Sequence, residues 1–347
     1  MRIAVEAAHV GGAEAGTSSG LHTLVEASVE CARTQGIELL FVGHRSALEA
    51  ELRGLGLYGD ADIEIVDAPT VIAADEDPQA ACREKPDASI LRAAEAVAAN
   101  NAQALIATGG IGASVAGALW HLKRLRGVLR PVLVSPLPTP RGTSLLLDAG
   151  ANYDCKPWHI LQFALMGSLY AKHMYGIEEP SVGLLAPRME GGGACDLVSE
   201  SLPLLKYAGI QFRGMIRGEE LAAGKTDVIV TDGCTGDICR GLFEGLSWTY
   251  FEMLESEAAA SALGRLGAAA LNGTLNRFSH RLQLAATGGS PILGIGKPVV
   301  LCRRTDLPDA VGESIRTAAA LANSDVHERI KGRLEDMQSD MEVARAI

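Results

Sequence analysis

Positive charge is scarce in this chain. Its 347 residues carry 31 Lys and Arg against 42 Asp and Glu, a formal net charge of −11. No run of Lys and Arg reverses that balance locally. A general nucleic-acid binder, which needs a basic face to neutralise phosphates, is therefore excluded. Aromatic residues make up only 4% of the sequence, which leaves Ala, Leu, Val and Ile to fill the core. No segment reads as a membrane span. The charge-free stretch Ala104–Trp120 holds four glycines and reads as a buried strand turning into a helix. Met1–Gly12 carries Glu6 inside its apolar stretch and lacks the hydrophobic region of a signal peptide, so a cytoplasmic location is expected. The seven cysteines form no CxxC pair, and the eight histidines form no HExxH motif and no i, i+4 pair. Reduced thiols and no metal site are expected. Gly109-Gly110-Ile111-Gly112 lacks the spacing of GxGxxG and GxxxxGK[ST] is missing, which disfavours an ordinary Rossmann dehydrogenase and a Walker ATPase, and no cofactor is expected.

What is present is a regular alternation. Hydrophobic residues at 48% and charged residues at 21% are globular values. Strand-length apolar runs occur at Arg2–Ala7, Ile37–Gly43, Ile63–Ala68, Ala104–Gly109, Pro131–Leu137 and Ser144–Asp148. Others follow at Val182–Ala186, Gln211–Ile216, Asp227–Thr231 and Val299–Arg303. Helix-period segments separate them, among them Ser89–Ala99 with Asp87 or Ser89 as N-cap, Ala113–Arg124, His159–Tyr175 and Thr235–Glu257. Continuous Val/Ile/Leu strands joined by helical crossovers predict an α/β fold with a mostly parallel sheet covered on both faces. One domain over residues 1–347 is expected; a boundary near Pro138–Gly142 is the alternative. The strandless, Ala/Leu-rich stretch at about 252–284 predicts a helical hairpin that projects from the sheet or packs against a second subunit.

Three segments share the order strand, glycine-rich turn, helix: residues 107–113 (ATGGIGA), 147–157 (LDAGANYDCKP) and 231–237 (TDGCTGD). Ligands of open α/β sheets gather where such turns lie, because glycines admit an anion to the backbone and helix N-termini favour negative charge. Any one of these loops also reads as a plain turn. Together they point to an anionic or phosphorylated ligand.

The middle loop lies in LLDAGANYDCKPWHILQFALMGSLYA, which closely resembles the PlsX phosphate acyltransferases and their LLDxGANxDCKPxxLxQFAxMGxxYA. MRIAVEA, VIAADEDPQAACREKPDAS, RPVLVSPLPT, GKTDVIVTDGCTGDICRGLFEGL and GGSPILGIGKPVV fall in the same order as in that family, over roughly 1–334. The resemblance implies a three-layer α/β/α fold like that of isocitrate and isopropylmalate dehydrogenases and of phosphotransacetylase, usually as a homodimer. It implies transfer of an acyl group from an acyl-carrier-protein thioester to inorganic phosphate, which feeds phospholipid synthesis. Phosphate is then the nucleophile, so positioning and oxyanion stabilisation carry the chemistry. Lys156, the one lysine in the three loops, is the candidate cation. Asp154 and Asp232 are candidates to orient donors or the lysine, or to cap the following helix. Gly109, Gly110, Gly112, Gly233 and Gly236 are candidate phosphate-binding positions. Asn152 and Thr235 either donate to phosphate or satisfy turn backbone.

The departures fall in polar loops. Glu6-Ala7-Ala8-His9-Val10-Gly11-Gly12-Ala13 stands where the family has a strand and DAMGGD, and Arg188 is the candidate replacement for a lysine in a lost loop. Cys234 and Cys302 replace family residues, either as buried small hydrophobes or with a thiol role. The thiol role motivates a second reading, a PlsX-like subunit of a glycine, sarcosine or betaine reductase complex making acetyl phosphate from a protein-bound acetyl thioester. A third reading is a non-catalytic subunit that binds an acyl carrier or another partner. The hairpin sets Glu252, Glu255 and Glu257 against only Arg265, Arg277 and Arg281, so membrane association is expected to be weak at most.

Overall fold

A computed structural model describes residues 1–7, 19–187, 195–287 and 289–346. Its strands are β1 (Arg2–Glu6), β2 (Glu38–Gly43), β3 (Ile63–Asp67), β4 (Ala104–Ala107), β5 (Val132–Leu133) and β6 (Ser135–Thr139). The others are β7 (Gly142–Leu147), β8 (Ser181–Leu185), β9 (Gln211–Ile216), β10 (Val228–Val230), β11 (Ser290–Leu293) and β12 (Val299–Leu301). They form two sheets rather than the one expected. The first runs β3-β2-β1-β4-β12-β11-β5 and the second β6-β7-β10-β8-β9. Both are parallel except where β11 meets its two neighbours and β6 meets β7.

The division between the sheets lies inside a run that reads as one strand. Pro131–Leu137 splits at Val134: β5 pairs with β11, and β6 turns away to pair with β7. Apolar content alone does not mark that break. β11 is not legible in the sequence, because Pro291 interrupts the pattern and the strand follows directly on the long hairpin. The structure adds a short helix, Pro78–Glu84, capped by Asp77. Ala88, not Asp87 or Ser89, occupies the cap position of the helix Ser89–Ala98. Asp87 instead accepts from the Thr70 hydroxyl (2.8 Å), and the Ser89 hydroxyl donates to Glu6 (2.7 Å).

Why strands here read as continuous apolar runs is visible in the core. Successive side chains of a strand point to opposite faces, and both faces are covered. Leu39 and Phe41 enter one apolar cluster, Leu40 and Val42 another. In the second sheet Leu145 and Leu147 enter the first of those clusters, while Leu146 enters a third. The largest cluster thus joins both sheets, with Phe163 of the helix Pro157–Tyr175 among its fully buried members. The expected hairpin consists of the helices Gly233–Ala259 and Ala262–Thr287. No helix among the described residues is long and apolar enough to cross a membrane.

Candidate functional site

Strands β4, β7 and β10 run into the three glycine-rich loops, and the fold brings those loops to one junction. Asp148, directly after β7, is fully buried and organises the middle loop. Its Oδ1 accepts from the backbone N–H groups of Leu133 (3.1 Å), Gly150 (3.3 Å) and Ala151 (3.0 Å). Its Oδ2 accepts from the Asn152 backbone N–H (2.6 Å) and Asn152 Nδ2 (2.7 Å). Burial pushes this carboxyl upward, and the N–H donors oppose the rise by favouring the ionised form. Gly150, at φ +126°, rests on both other loops. A Cβ there would lie 3.2 Å from Ile111 Cδ1 and 3.3 Å from Asp237 Oδ1.

The third loop seats the helix Gly233–Ala259 directly on the second. Gly233 N–H donates to Asn152 O (2.8 Å) and Gly236 N–H to Asp232 O (2.9 Å). A Cβ at Gly233 would collide with the Asn152 carbonyl, and one at Gly236 with the Asp148 carbonyl. These two glycines serve close backbone packing, with both N–H groups already committed, so they are not the anion cradle that their loop suggested. The first loop differs. Gly110 is the N-cap of the helix Ile111–Leu122 and has no side-chain cap, and a Cβ on it would meet nothing within 4 Å. Among the described residues nothing accepts from the N–H groups of Ile111, Gly112 and Ala113. Gly109 precedes this open helix end. Gly112 packs on its other side, where a Cβ would lie 2.9 Å from Pro78 Cγ.

The polar candidates divide in the same way. Both Asn152 amide hydrogens are committed inside the loop, one to Asp148 and one to Pro131 O (2.7 Å), so this side chain holds the turn and has no proton left for phosphate. Thr235 donates its hydroxyl to Asp232 Oδ2 (2.7 Å), while Asp232 Oδ1 accepts from Thr235 N–H (2.9 Å). Asp232 is therefore the N-cap of its helix. Asp154 pairs with Arg130 at 3.2 Å on the surface rather than with Lys156. Lys156 is exposed at the start of the helix Pro157–Tyr175, and its ammonium has no ion-pair partner among the described residues. Its backbone N–H donates to His159 Nδ1 (3.1 Å).

Cys302 is fully buried beyond β12, and burial pushes its thiol up to about 11, so it stays protonated and packed at neutral pH. That environment is the opposite of what a reactive thiolate needs, and the thiol role does not fit it. Cys234 is exposed in the first turn of the helix Gly233–Ala259. Arg188 lies outside the described residues, as do positions 8–13 of the N-terminal motif.

Sequence reasoning missed three structural contributors. Asp148 is one; its signal was an Asp at a strand end two residues before a glycine, the pattern of a side chain that bonds the following backbone. Glu6 is another: buried at the end of β1, it accepts from Ser89 Oγ (2.7 Å) and Thr108 N–H (2.9 Å), which fixes the start of the first loop. The third is a chain of charges. Arg240 pairs with Asp237 and with Glu244 (3.0 Å), and Glu244 also pairs with Arg303 after β12. Burial pushes the Glu244 carboxyl upward against the pull of Arg240. The spacing of Asp237, Arg240 and Glu244 on one helix face was the available signal.

Comparison with known proteins covers nearly the whole chain. The family model described as "Fatty acid synthesis protein" matches residues 1–329. A phosphate acyltransferase of Elusimicrobium minutum is 36% identical over 346 residues, covering 100% of this chain and 99% of that protein. A phosphate acyltransferase of Pelotomaculum thermopropionicum is 36% identical over 315 residues, 91% of this chain and 92% of its own length. Among solved structures, a phosphotransacetylase from Streptococcus pyogenes superimposes with a TM-score of 0.61 at 15% identity, over 93% of this chain and 94% of that one. A branched-chain phosphotransacylase from Enterococcus faecalis gives 0.52 at 17% identity, over 92% and 99%. Both structural likenesses concern the fold.

Proposed function

The chain belongs to the fatty acid synthesis protein family, that of the phosphate acyltransferases, and from that premise we propose that it transfers an acyl group from a thioester to inorganic phosphate. An oxygen of phosphate attacks the thioester carbonyl, the C–S bond breaks, a C–O–P linkage forms, and the thiol leaves with a proton. The observation that carries this reading is the open N-terminus of the helix Ile111–Leu122, with N–H donors that nothing else among the described residues uses, at the junction of three loops. Such an end binds an anion through its N–H groups and its dipole. Lys156 supplies the mobile positive charge, to hold phosphate or the oxyanion that develops on the thioester. Asp148, Asn152 and Asp232 hold the loops in place and do not touch substrate. The donor is a thioester on an acyl-carrier protein, the acyl phosphate product serves phospholipid synthesis in the cytoplasm, and the enzyme works as a homodimer.

The test is phosphate-dependent release of thiol, with the acyl phosphate trapped by hydroxylamine. Lys156→Ala is expected to lower kcat/KM for phosphate by about 100-fold or more, the scale of losing one electrostatic stabiliser, with partial recovery in Lys156→Arg. A Lys156→Ala enzyme within threefold of the parent would remove the lysine from the mechanism. No phosphate-dependent turnover by the parent with any acyl thioester would remove the reaction itself.

A further inference from the structure

The helix Ile111–Leu122 has two unlike faces. Ala113, Ser114, Gly117 and Ala118 are buried, with Gly117 pressed against Ile90 of the neighbouring helix Ser89–Ala98. The other face presents Gly112, Val115, Ala116, Leu119 and Trp120, at i, i+3, i+4, i+7 and i+8, to a cleft of about 770 Å³. Trp120 keeps 40% and Leu129, also lining the cleft, 39% of their surface exposed, so the cleft offers large apolar side chains to a partner. One end of the cleft reaches Ala151 and Asn152 in the loop junction; the other passes Lys123 and Arg124, about 16 Å further along the helix. A cleft of that size and length exceeds what inorganic phosphate needs and suits an extended arm.

The rim supplies the second half of the argument. Arg83, Lys123, Arg124 and Arg130 line the cleft, and Asp77 is the one carboxylate among its lining residues. Asp77 caps its own helix by accepting from Ala80 N–H (2.7 Å). Lys123 donates to Trp120 O (2.7 Å) and Arg124 to Leu129 O, both neutral partners, and neither has an ion-pair partner among the described residues. Arg83 has no ion pair among the described residues, and Asp154 answers Arg130 alone. A local positive excess on a chain of net charge −11 selects an acidic partner at this place and not over the whole surface.

We propose that this cleft and its basic rim are the docking surface for an acidic carrier protein, whose phosphorylated arm lies along the apolar helix face and delivers its thioester to the loop junction. The inference rests on the acyl-transfer reading. The rim cations meet the carrier's carboxylates and the phosphate of the arm, and Trp120 and Leu119 pack on the arm itself.

Two measurements test it separately from the reaction. The first is anisotropy of a labelled carrier protein, bearing a non-cleavable thioether analogue of its acyl arm, titrated with the full-length protein at 50 and 300 mM salt. The parent is expected to bind more weakly at the higher salt, and Arg83→Glu/Lys123→Glu/Arg124→Glu to bind at least tenfold more weakly than the parent at 50 mM, losing most of the salt dependence. Arg33→Glu/Arg45→Glu/Arg53→Glu, three exposed arginines that do not line the cleft, is the control for the same change in net charge. Equal affinity of the triple variant and the parent, or no binding by a folded parent, overturns the proposal. The second is the ratio of kcat/KM for the carrier-borne thioester to that for the same acyl group on N-acetylcysteamine. It is expected to fall at least tenfold in the triple variant and in Trp120→Ser. An unchanged ratio overturns the docking surface, whereas a parent that turns over neither thioester refutes the acyl-transfer reading and leaves the anisotropy result to decide docking. If Trp120→Ser changes the sedimentation of the protein and not its affinity for carrier, the face is a contact between copies of this chain and the proposal fails.

Discussion

At Asp148 a single carboxylate does the work of a small core of its own. With five N–H donors converging on two oxygens, the ionised group is the form the loop is built around, even though burial pushes its pKa upward. Asp148→Asn keeps the volume, removes the charge and turns an N–H₂ toward existing donors. Its expected cost is about 3 kcal/mol, the usual penalty for breaking one side of a buried charged network. Urea denaturation followed by circular dichroism measures it, and an unchanged midpoint would show that the loop holds without the charge. The pattern LDAGAN makes a turn at this place legible in the sequence. The inward direction of Asn152 is not legible, because its second partner, Pro131 O, comes from the segment before β5 and only the tertiary fold brings it near. For the same reason Asp154 reads as a partner for Lys156 when its partner is Arg130, from the segment before β5, whereas Thr235 satisfies Asp232 within its own turn.

Elements were more legible than side-chain roles, because period and apolar content are local. Gln211–Ile216 appears as read, and the helix expected over His159–Tyr175 begins two residues earlier, at Pro157. Its start has its own titration. His159 Nδ1 accepts from Lys156 N–H, which requires an unprotonated nitrogen, and burial together with Arg130 holds this ring below the ordinary histidine value. A histidine depressed in the fold adds stability that is complete above its unfolded value near 6.5 and is lost as pH falls from there toward the depressed folded value. The first turn that carries Lys156 should therefore loosen as the pH falls below 6.5. His159→Asn retains an acceptor that does not titrate in that range. Thermal melts at pH 7.5, 6.5, 5.5 and 5.0 should show a shallower fall in Tm for His159→Asn than for the parent. Parallel curves would assign the acid sensitivity elsewhere.

At the scale of the molecule, what the elements did not announce was an exposed stripe on the helix that begins at the site. Ile238, Leu242, Leu246, Tyr250 and Met253 are spaced by four, four, four and three residues, and their exposures are 66, 58, 37, 63 and 57%. The same helix turns Asp237, Arg240 and Glu244 toward Arg303 and the loop junction, so the stripe is a separate face. From Ile238 to Met253 the stripe is about 22 Å long, and a continuous exposed apolar face of that length is more than a monomer usually leaves in water. The three arginines between 252 and 281 are matched by three glutamates, which gives an anionic membrane little to hold. A second copy of the chain is the occupant that needs no charge, because a two-fold contact sets identical apolar stripes against each other. Sedimentation velocity should therefore find a dimer for the parent and a monomer for Leu242→Glu/Leu246→Glu, with the same far-ultraviolet circular dichroism. Because the stripe starts within two turns of Asp232, the monomeric variant should also lose phosphate-dependent turnover, since the helix that seats on the Asn152 loop would no longer be braced along its length. A parent that sediments as a monomer, or a double variant that stays dimeric, would rule this face out as the contact.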